Sequence, residues 1–356
     1  MSSRATVTAN RERLGNAAAV MEAAVRSGAY PSAVLAVGDH EGTVWTYVVP
    51  GEDGVGLETI FPLASITKPI VGIAIMQLVE RGLLLLNEPV KNLIPEFGQN
   101  GKEGVIVWHL LTHTSGLVEE EAALNELFRQ RVPAEAFLDL AIREGVSFEP
   151  GTQFAYNNLA FLVLGELITR ISGQPYPEYL TEHIFAPLGM MDTAFAPVDA
   201  ARAAPVYGFG DEEDQEYWNT LAAPHAGLWS TAADLLALGR AFLNEGRAGD
   251  YRLLSPAAVE AMTRVQTQGI HSMVDGRPQP VYQALGWGKA SPRGVLLGSD
   301  AAFGHGGATG TFMRVDPEWN LVYVCLASRW EGSHNEAIRA FNAVCGAMER
   351  AAPEIE

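Results

Sequence analysis

Ser65-Ile66-Thr67-Lys68-Pro69-Ile70-Val71-Gly72-Ile73-Ala74-Ile75-Met76-Gln77-Leu78-Val79-Glu80-Arg81-Gly82-Leu83-Leu84-Leu85 is the stretch on which the reading of the chain turns. It reads as one long helix whose apolar residues, Ile70, Val71, Ile73, Ile75, Met76, Leu78 and Val79, run nearly all round it. Such a helix is enclosed by other elements rather than laid on a surface. Its first turn nevertheless carries Ser65 and Lys68, three apart and therefore on one helical face. A lysine entering an apolar interior is costly unless it is paired or does chemistry. A serine hydroxyl is a weak nucleophile that needs an adjacent base. A lysine kept neutral by burial or by neighbouring positive charge supplies one. The helix N-terminus adds a positive field that favours a developing anion. Only four lysines occur, Lys68, Lys91, Lys102 and Lys289, so a chance Ser-x-x-Lys pair is uncommon.

Outward from this helix, Arg11–Ser27 reads as an amphipathic helix, and Ser32–Val37 and Gly42–Val49 as strands joined through Asp39–Gly42. Met1–Asn10 reads as a loose leader. The centre alternates helices with Gly/Pro punctuation: Ala134–Arg143, Asn158–Ile171, Thr231–Asn244 and Ser255–Arg264. Ser230 or Thr231 and Ser255 are good N-caps, and Pro256 suits a first helical turn. Gln283–Trp287, Gly310–Val315 and Leu321–Ser328 are β-rich, and a last helix covers about Asn335–Met348. Strands at both ends with helices between predict an α+β protein: one sheet built from both termini, with a helical lobe inserted. Residues 10–85 and 285–350 are assigned to the sheet lobe, 86–284 to the helical lobe, and the active site to the space between them.

Composition narrows the function. The 356 residues are 48% hydrophobic and 19% charged, as in an ordinary globular protein. Acidic residues outnumber basic ones 42 to 24, a net charge of −18, which disfavours nucleic acid and anionic membrane surfaces as partners. Two cysteines, Cys325 and Cys345, exclude a disulfide scaffold and read as core residues. Neither a secretory apolar stretch nor a run long enough to span a membrane occurs, so a soluble, cytoplasmic protein is expected.

Two further signals stand beside Ser65 and Lys68. Tyr156-Asn157-Asn158 follows Pro150-Gly151 and precedes an apolar helix. A tyrosine beside a lysine can act as general base and acid, and Asn158 offers a donor and an acceptor to a substrate carbonyl. Read alone, the triplet is equally an aromatic with a helix cap. Gly304-His305-Gly306-Gly307-Ala308-Thr309-Gly310 lies between strand-like segments, where its glycines allow a ligand close to the backbone and His305 is a polar group at that cleft. Read alone, it is equally a glycine-rich hairpin with a surface histidine. The spacing is not that of a dinucleotide site.

In this order the three signals resemble the serine β-lactamase and penicillin-binding superfamily, most closely the class C β-lactamases, D-specific peptidases and related carboxylesterases. His109-Leu110-Leu111-Thr112-His113-Thr114-Ser115-Gly116-Leu117, Pro187-Leu188-Gly189-Met190 and Gly227-Leu228-Trp229-Ser230-Thr231 agree as well, and the likeness spans about residues 15 to 345. The resemblance implies an antiparallel sheet flanked by helices plus a mostly helical lobe. It makes Ser65 the acylated nucleophile, Lys68 and Tyr156 the proton-transfer pair, and Asn158 a substrate-orienting group. His305-Gly306-Gly307 takes the place of the Lys-Thr-Gly strand motif, and the N–H groups of Ser65 and Ala308 would form the oxyanion hole. Histidine in place of that lysine argues against penicillinase activity, being only fractionally charged near neutral pH.

The expectation is a serine hydrolase acting on small esters, with D-amino-acid amides or peptides next and β-lactams third, and with no metal or cofactor. An acyl-enzyme sensor that does not turn over is the alternative of another class. His109 and His113, four apart, read as structural histidines rather than metal ligands, since no third ligand accompanies them. Tyr207 or Trp218 is a candidate for the acyl side of the pocket, and Asp211–Asp214 reads as a solvated loop.

Overall fold

In strand β1 (Ala33–Gly38), Val34 and Ala36 face one hydrophobic core while Ala33, Leu35 and Val37 face another. The alternation is the two-residue period of a strand, and with both sides apolar the strand must be central. Its partner β6 (Leu321–Leu326) repeats the pattern, sending Val322, Val324 and Leu326 one way and Leu321, Tyr323 and Cys325 the other. Around this pair the computed structural model builds a six-stranded sheet in the order β3-β4-β5-β6-β1-β2. The remaining strands are β2 (Thr43–Val49), β3 (Gly288–Lys289), β4 (Phe303–Gly306) and β5 (Phe312–Asp316). Every neighbour is antiparallel. The sheet thus combines strands from both ends of the chain, as read from the sequence. The structure describes residues 7–350 apart from 52, 291–293 and 295, so the first six residues of the expected leader lie outside it. Val7–Ala9 is a short strand paired with Met348–Arg350.

Helices α1 (Arg11–Arg26) and α10 (Asn335–Ala347) pack together over one face. On the other lies α8 (Ala232–Leu243), with α2 (Thr67–Glu80) in the core behind it. Gly239 lets α8 come close: a Cβ there would stand 2.5 Å from Val322 Cγ1. The sequence division had put this segment in the inserted lobe, but periodicity identifies a helix without saying what it packs against. Every residue of α2 from Thr67 to Leu78 is buried. Each enclosed Ile, Leu or Val contributes about 1.5–3 kcal/mol of transfer free energy. The helix ends sooner than the sequence suggests, at Glu80 with Arg81 as its C-cap, because Gly82 turns left-handed at φ 70°.

The central helices include α3 (Val107–Leu111), α4 (Glu121–Arg129), α5 (Ala134–Arg143), α6 (Leu159–Ser172), α7 (Glu212–Thr220) and, after α8, α9 (Pro256–Thr263). Thr231 and Ser255 cap α8 and α9 through hydrogen bonds from the N–H groups of Asp234 and Ala258. The acidic run Asp211–Asp214 is no loose loop. Asp211 caps α7 and exchanges hydrogen bonds with Asp214, where the positive end of the helix favours carboxylates. Cys325 is buried and Cys345 half-buried, both as thiols. Among the described residues no helix is long and apolar enough to cross a membrane.

Candidate active site

Ser65 occupies a single 3-10 turn, Ala64–Ile66, that leads directly into α2. Ala64 is buried in the left-handed region at φ 45°, a conformation that persists only where the surroundings impose it. Here they do. The Leu63 N–H donates to the Leu228 carbonyl at 2.8 Å, and the Leu63 carbonyl accepts from Thr311 Oγ1 at 3.1 Å. Thr309 Oγ1 donates to the Pro62 carbonyl at 2.8 Å. The turn bearing Ser65 is therefore clamped between the segments carrying Gly227–Thr231 and Gly304–Gly310.

Lys68, one turn on, is fully buried. Its Nζ lies 2.9 Å from Ser65 Oγ and 2.9 Å from the His225 carbonyl, above the Tyr156 ring at 4.7 Å from the centroid. Burial brings its pKa down to about 7, against a smaller opposing pull from Glu119. Near neutrality the amine is therefore divided between charged and neutral forms.

Tyr156 hydrogen-bonds Ser65, and burial of its hydroxyl raises its pKa above the ordinary phenol value despite that bond. The ring as a whole is 45% exposed, so it forms part of the cleft wall. The phenol is thus protonated at neutral pH and poised to give a proton rather than to take one. Behind the ring stacks His113, centroids 4.4 Å apart. His113 is buried, accepts the Asn157 N–H on Nδ1 at 3.1 Å, and is held neutral, its pKa well below the usual value chiefly through burial. His109 Nδ1 likewise accepts the Ile106 N–H, at 3.2 Å. Each ring is thus engaged by backbone.

Asn157 and Asn158 have different tasks. Asn157 is buried between the Leu117 carbonyl and the Ala160 N–H. Asn158 faces the cleft, but its Nδ2 donates to Glu119 at 2.7 Å. Glu119 also accepts the N–H groups of Asn158 and Leu159, so its carboxylate closes the N-terminus of α6. Its presence at the site went unread in the sequence.

Phe303–Gly306 is a strand rather than a loop, and a Cβ at Gly304 would lie 2.0 Å from the Met313 carbonyl of β5. Gly306 and Gly307 run against His334 and against the Ser65 turn: a Cβ on Gly307 would meet the Leu63 carbonyl at 2.2 Å. The Gly307 N–H donates to Thr311 and the Gly310 N–H to Gly307, leaving the Ala308 N–H between them outside that ladder. His305 lies beside Tyr156, ring centroids 6.2 Å apart. Burial, then Lys68, lowers its pKa to about 3, so it carries no charge near neutral pH.

A cavity of about 520 Å³ opens beside this cluster, reaching it through Asn158 and His225. Trp218 lines it, with Phe128, Phe209 and Trp330. Tyr207 does not: its backbone pairs with Ser328 and Trp330, and its ring lies near Arg329. Phe128 and Trp330 come from segments far apart in sequence, and no local pattern marks them as cavity residues.

The beta-lactamase family model matches residues 17–347. Protein Rv1367c of Mycobacterium tuberculosis is 29% identical over 76% of this chain and 77% of its own length. A beta-lactamase structure from Mycobacterium bovis is 28% identical, covering 92% of this chain and 97% of that one, with a TM-score of 0.64. The structure of EstCE1, a hydrolase with promiscuous acyltransferase activity, superposes with a TM-score of 0.77 over 94% of this chain and 99% of that one, and at 22% identity it shows the shared fold. With the sheet, the helical arrangement and the match to nearly its whole length, this chain belongs to the beta-lactamase family of hydrolases.

Proposed function

We propose that the chain is a serine hydrolase that works through an acyl-enzyme on Ser65, with small carboxylic esters as substrates. One observation carries the reading: Lys68 Nζ stands 2.9 Å from Ser65 Oγ, and burial makes the neutral amine accessible near pH 7. Neutral Lys68 takes the Oγ proton as Oγ bonds to the ester carbonyl carbon. The oxyanion rests on the N–H groups of Ser65 and Ala308, and each such donor is worth about 10²–10³ in rate. Collapse breaks the bond to the alkoxy oxygen. Tyr156 gives its hydroxyl proton to that oxygen and recovers one from the Lys68 ammonium. Water then repeats the sequence on the acyl-enzyme and releases the acid.

Esters are favoured over β-lactams and over D-peptides with a free carboxylate. Those substrates bring an anion toward the Gly304–Gly310 strand, where His305 is uncharged. Release of p-nitrophenol from p-nitrophenyl butyrate tests the reading. Steady turnover is expected from the wild type and none from Ser65→Ala. A single burst would mark the non-turnover sensor instead. Absence of release, with no mass shift after a fluorophosphonate, would overturn the Ser65 assignment.

A further inference from the structure

The cavity beside Ser65 has a composition unusual for a plain acyl pocket. Four aromatic rings gather at one side of it: Phe209 lies 4.6 Å from Trp330, 5.5 Å from Trp218 and 5.7 Å from Phe128, centroid to centroid. Two carboxylates, Glu119 and Glu121, line the same space. No lysine or arginine lines it, and its one histidine, His225, is held neutral by burial, with a pKa of about 3. Among the described residues neither carboxylate forms an ion pair. Glu119 is held by uncharged N–H donors, which orient it, and the partly charged Lys68 acts on it through space without forming an ion pair. The arginines that follow α4's aromatic residue are engaged elsewhere, Arg129 with Glu126 and Arg131 with Glu213 and Asp214.

Aromatic faces carry negative potential and attract cations, most strongly when water is excluded. A carboxylate beside them adds a full charge of the same sign. An uncharged acyl chain would use the rings and gain nothing from the carboxylates. A carboxylate-bearing acyl chain would be repelled by them. The net charge of −18 adds a long-range field that draws cations toward the molecule.

We propose that this cavity selects an acyl group carrying a positive charge, an alkylammonium or quaternary ammonium head seated among Phe128, Phe209, Trp218 and Trp330 and facing Glu119 and Glu121. The proposal rests on the hydrolase reading only in calling the occupant an acyl group, because His225, which lines the cavity, accepts Lys68 Nζ on its carbonyl and Lys68 in turn reaches Ser65. Binding itself can be measured without turnover.

The test uses the full-length Ser65→Ala protein and a pair of methyl esters of equal shape. One carries 4-(trimethylammonio)butyrate and the other 5,5-dimethylhexanoate, which replaces the nitrogen by carbon. Trp218 and Trp330 line the cavity, so quenching of tryptophan fluorescence reports occupancy. The cationic ester is expected to bind about tenfold tighter at low salt, with the margin shrinking as sodium chloride screens the carboxylates. Glu121→Gln, at the exposed start of α4, should narrow the margin without disturbing the cap on α6. Glu119→Gln should narrow it further. Equal binding of the two esters, or tighter binding of the neutral one, would overturn the proposal and leave an ordinary apolar pocket. Failure of both to bind at millimolar concentration would overturn the cavity as a ligand site. Neither result bears on p-nitrophenyl butyrate turnover, which separately decides the Ser65 reading.

Discussion

Lys68 and Lys102 are both fully buried, and burial lowers the pKa of both. Both also lie over an aromatic ring, Lys68 over Tyr156 and Lys102 over Phe97 at 5.2 Å. Their partners separate them. Lys102 Nζ donates to the carbonyls of Ile142, at 2.9 Å, and Glu144. A carbonyl can only accept, so an amine that lost its proton there would weaken bonds on which two part-buried carbonyls depend. Lys68 has one carbonyl partner, His225, and one hydroxyl, Ser65. A hydroxyl donates as readily as it accepts. When Lys68 is neutral, its lone pair can take the Ser65 proton, and the bond survives with its direction reversed. Burial alone therefore does not mark a site. A buried base whose partner can give it a proton does.

Substituting each lysine by methionine exposes the difference. Lys68→Met should lower kcat/KM by about 10²–10⁴, the usual worth of general-base catalysis. The same change should stabilise the fold by about 0.5–2 kcal/mol, as often happens when a functional group is removed from an apolar interior. The sign follows from the pKa values. Unfolded, Lys68 holds its proton to about pH 10.4; folded, it gives the proton up from about 7. The unfolded chain binds more protons across that window, so this site's contribution to stability rises with pH from about 7 to 10. Its penalty is fully present below 7. Thermal melts at pH 6 and pH 9 should show the larger gain at pH 6. A variant that melts lower than wild type at pH 6 would contradict this account. Lys102→Met should do the opposite, leaving turnover of p-nitrophenyl butyrate unchanged and destabilising by about 1–3 kcal/mol, because two part-buried carbonyls lose their donor. A loss of activity without a loss of stability would place Lys102 in the site and dissolve the comparison.

The sequence distinguishes these lysines only in part. Ser65 and Lys68 are legible because their spacing puts them on one face of a segment otherwise apolar all round. Lys102 stands in a polar stretch, Gly98–Gly104, and nothing local says that it is enclosed, since the groups that enclose it follow some forty positions later. The same limit governs the site. β1 and β6 are legible as apolar runs, and the caps Thr231 and Ser255 as single residues before helices. Glu119, which closes α6, and His113, which stacks under Tyr156, act across more than thirty positions, and no short-range pattern encodes either contact. Tyr207 and Trp218 share one aromatic-rich stretch. Only Trp218 rides on α7 into the cavity, because Tyr207 is spent on backbone pairing with Ser328. The Asp211–Asp214 cap was readable from its spacing, and there the acidic composition concealed a helix start.

The pH profile sharpens the contrast most finely. Among the described groups around Ser65, His225 and His305 are held near 3 and His113 well below its usual value, so none of the three changes charge between pH 5 and 9. Tyr156 is pushed above its ordinary value and gives no falling limb in that range. Lys68 is placed to titrate there, at about 7, and only its neutral form can take the Ser65 proton. The profile of kcat/KM for p-nitrophenyl butyrate should show one rising limb near pH 7 and then a plateau, with about tenfold less activity at pH 6 than at pH 8. Lys102→Met should keep that limb unmoved, since its carbonyl partners give it no proton to exchange. Lys289, on β3, is another lysine with a lowered pKa, brought to about 8 through burial and Arg314, and it is tied to the Ala301 carbonyl rather than to Ser65. A limb near 8 that vanishes in Lys289→Met would move the controlling ionisation to the sheet. A limb near 5 would assign it to a carboxylate, and the claim that a proton-giving partner is what turns a buried lysine into a base would then fail for this protein.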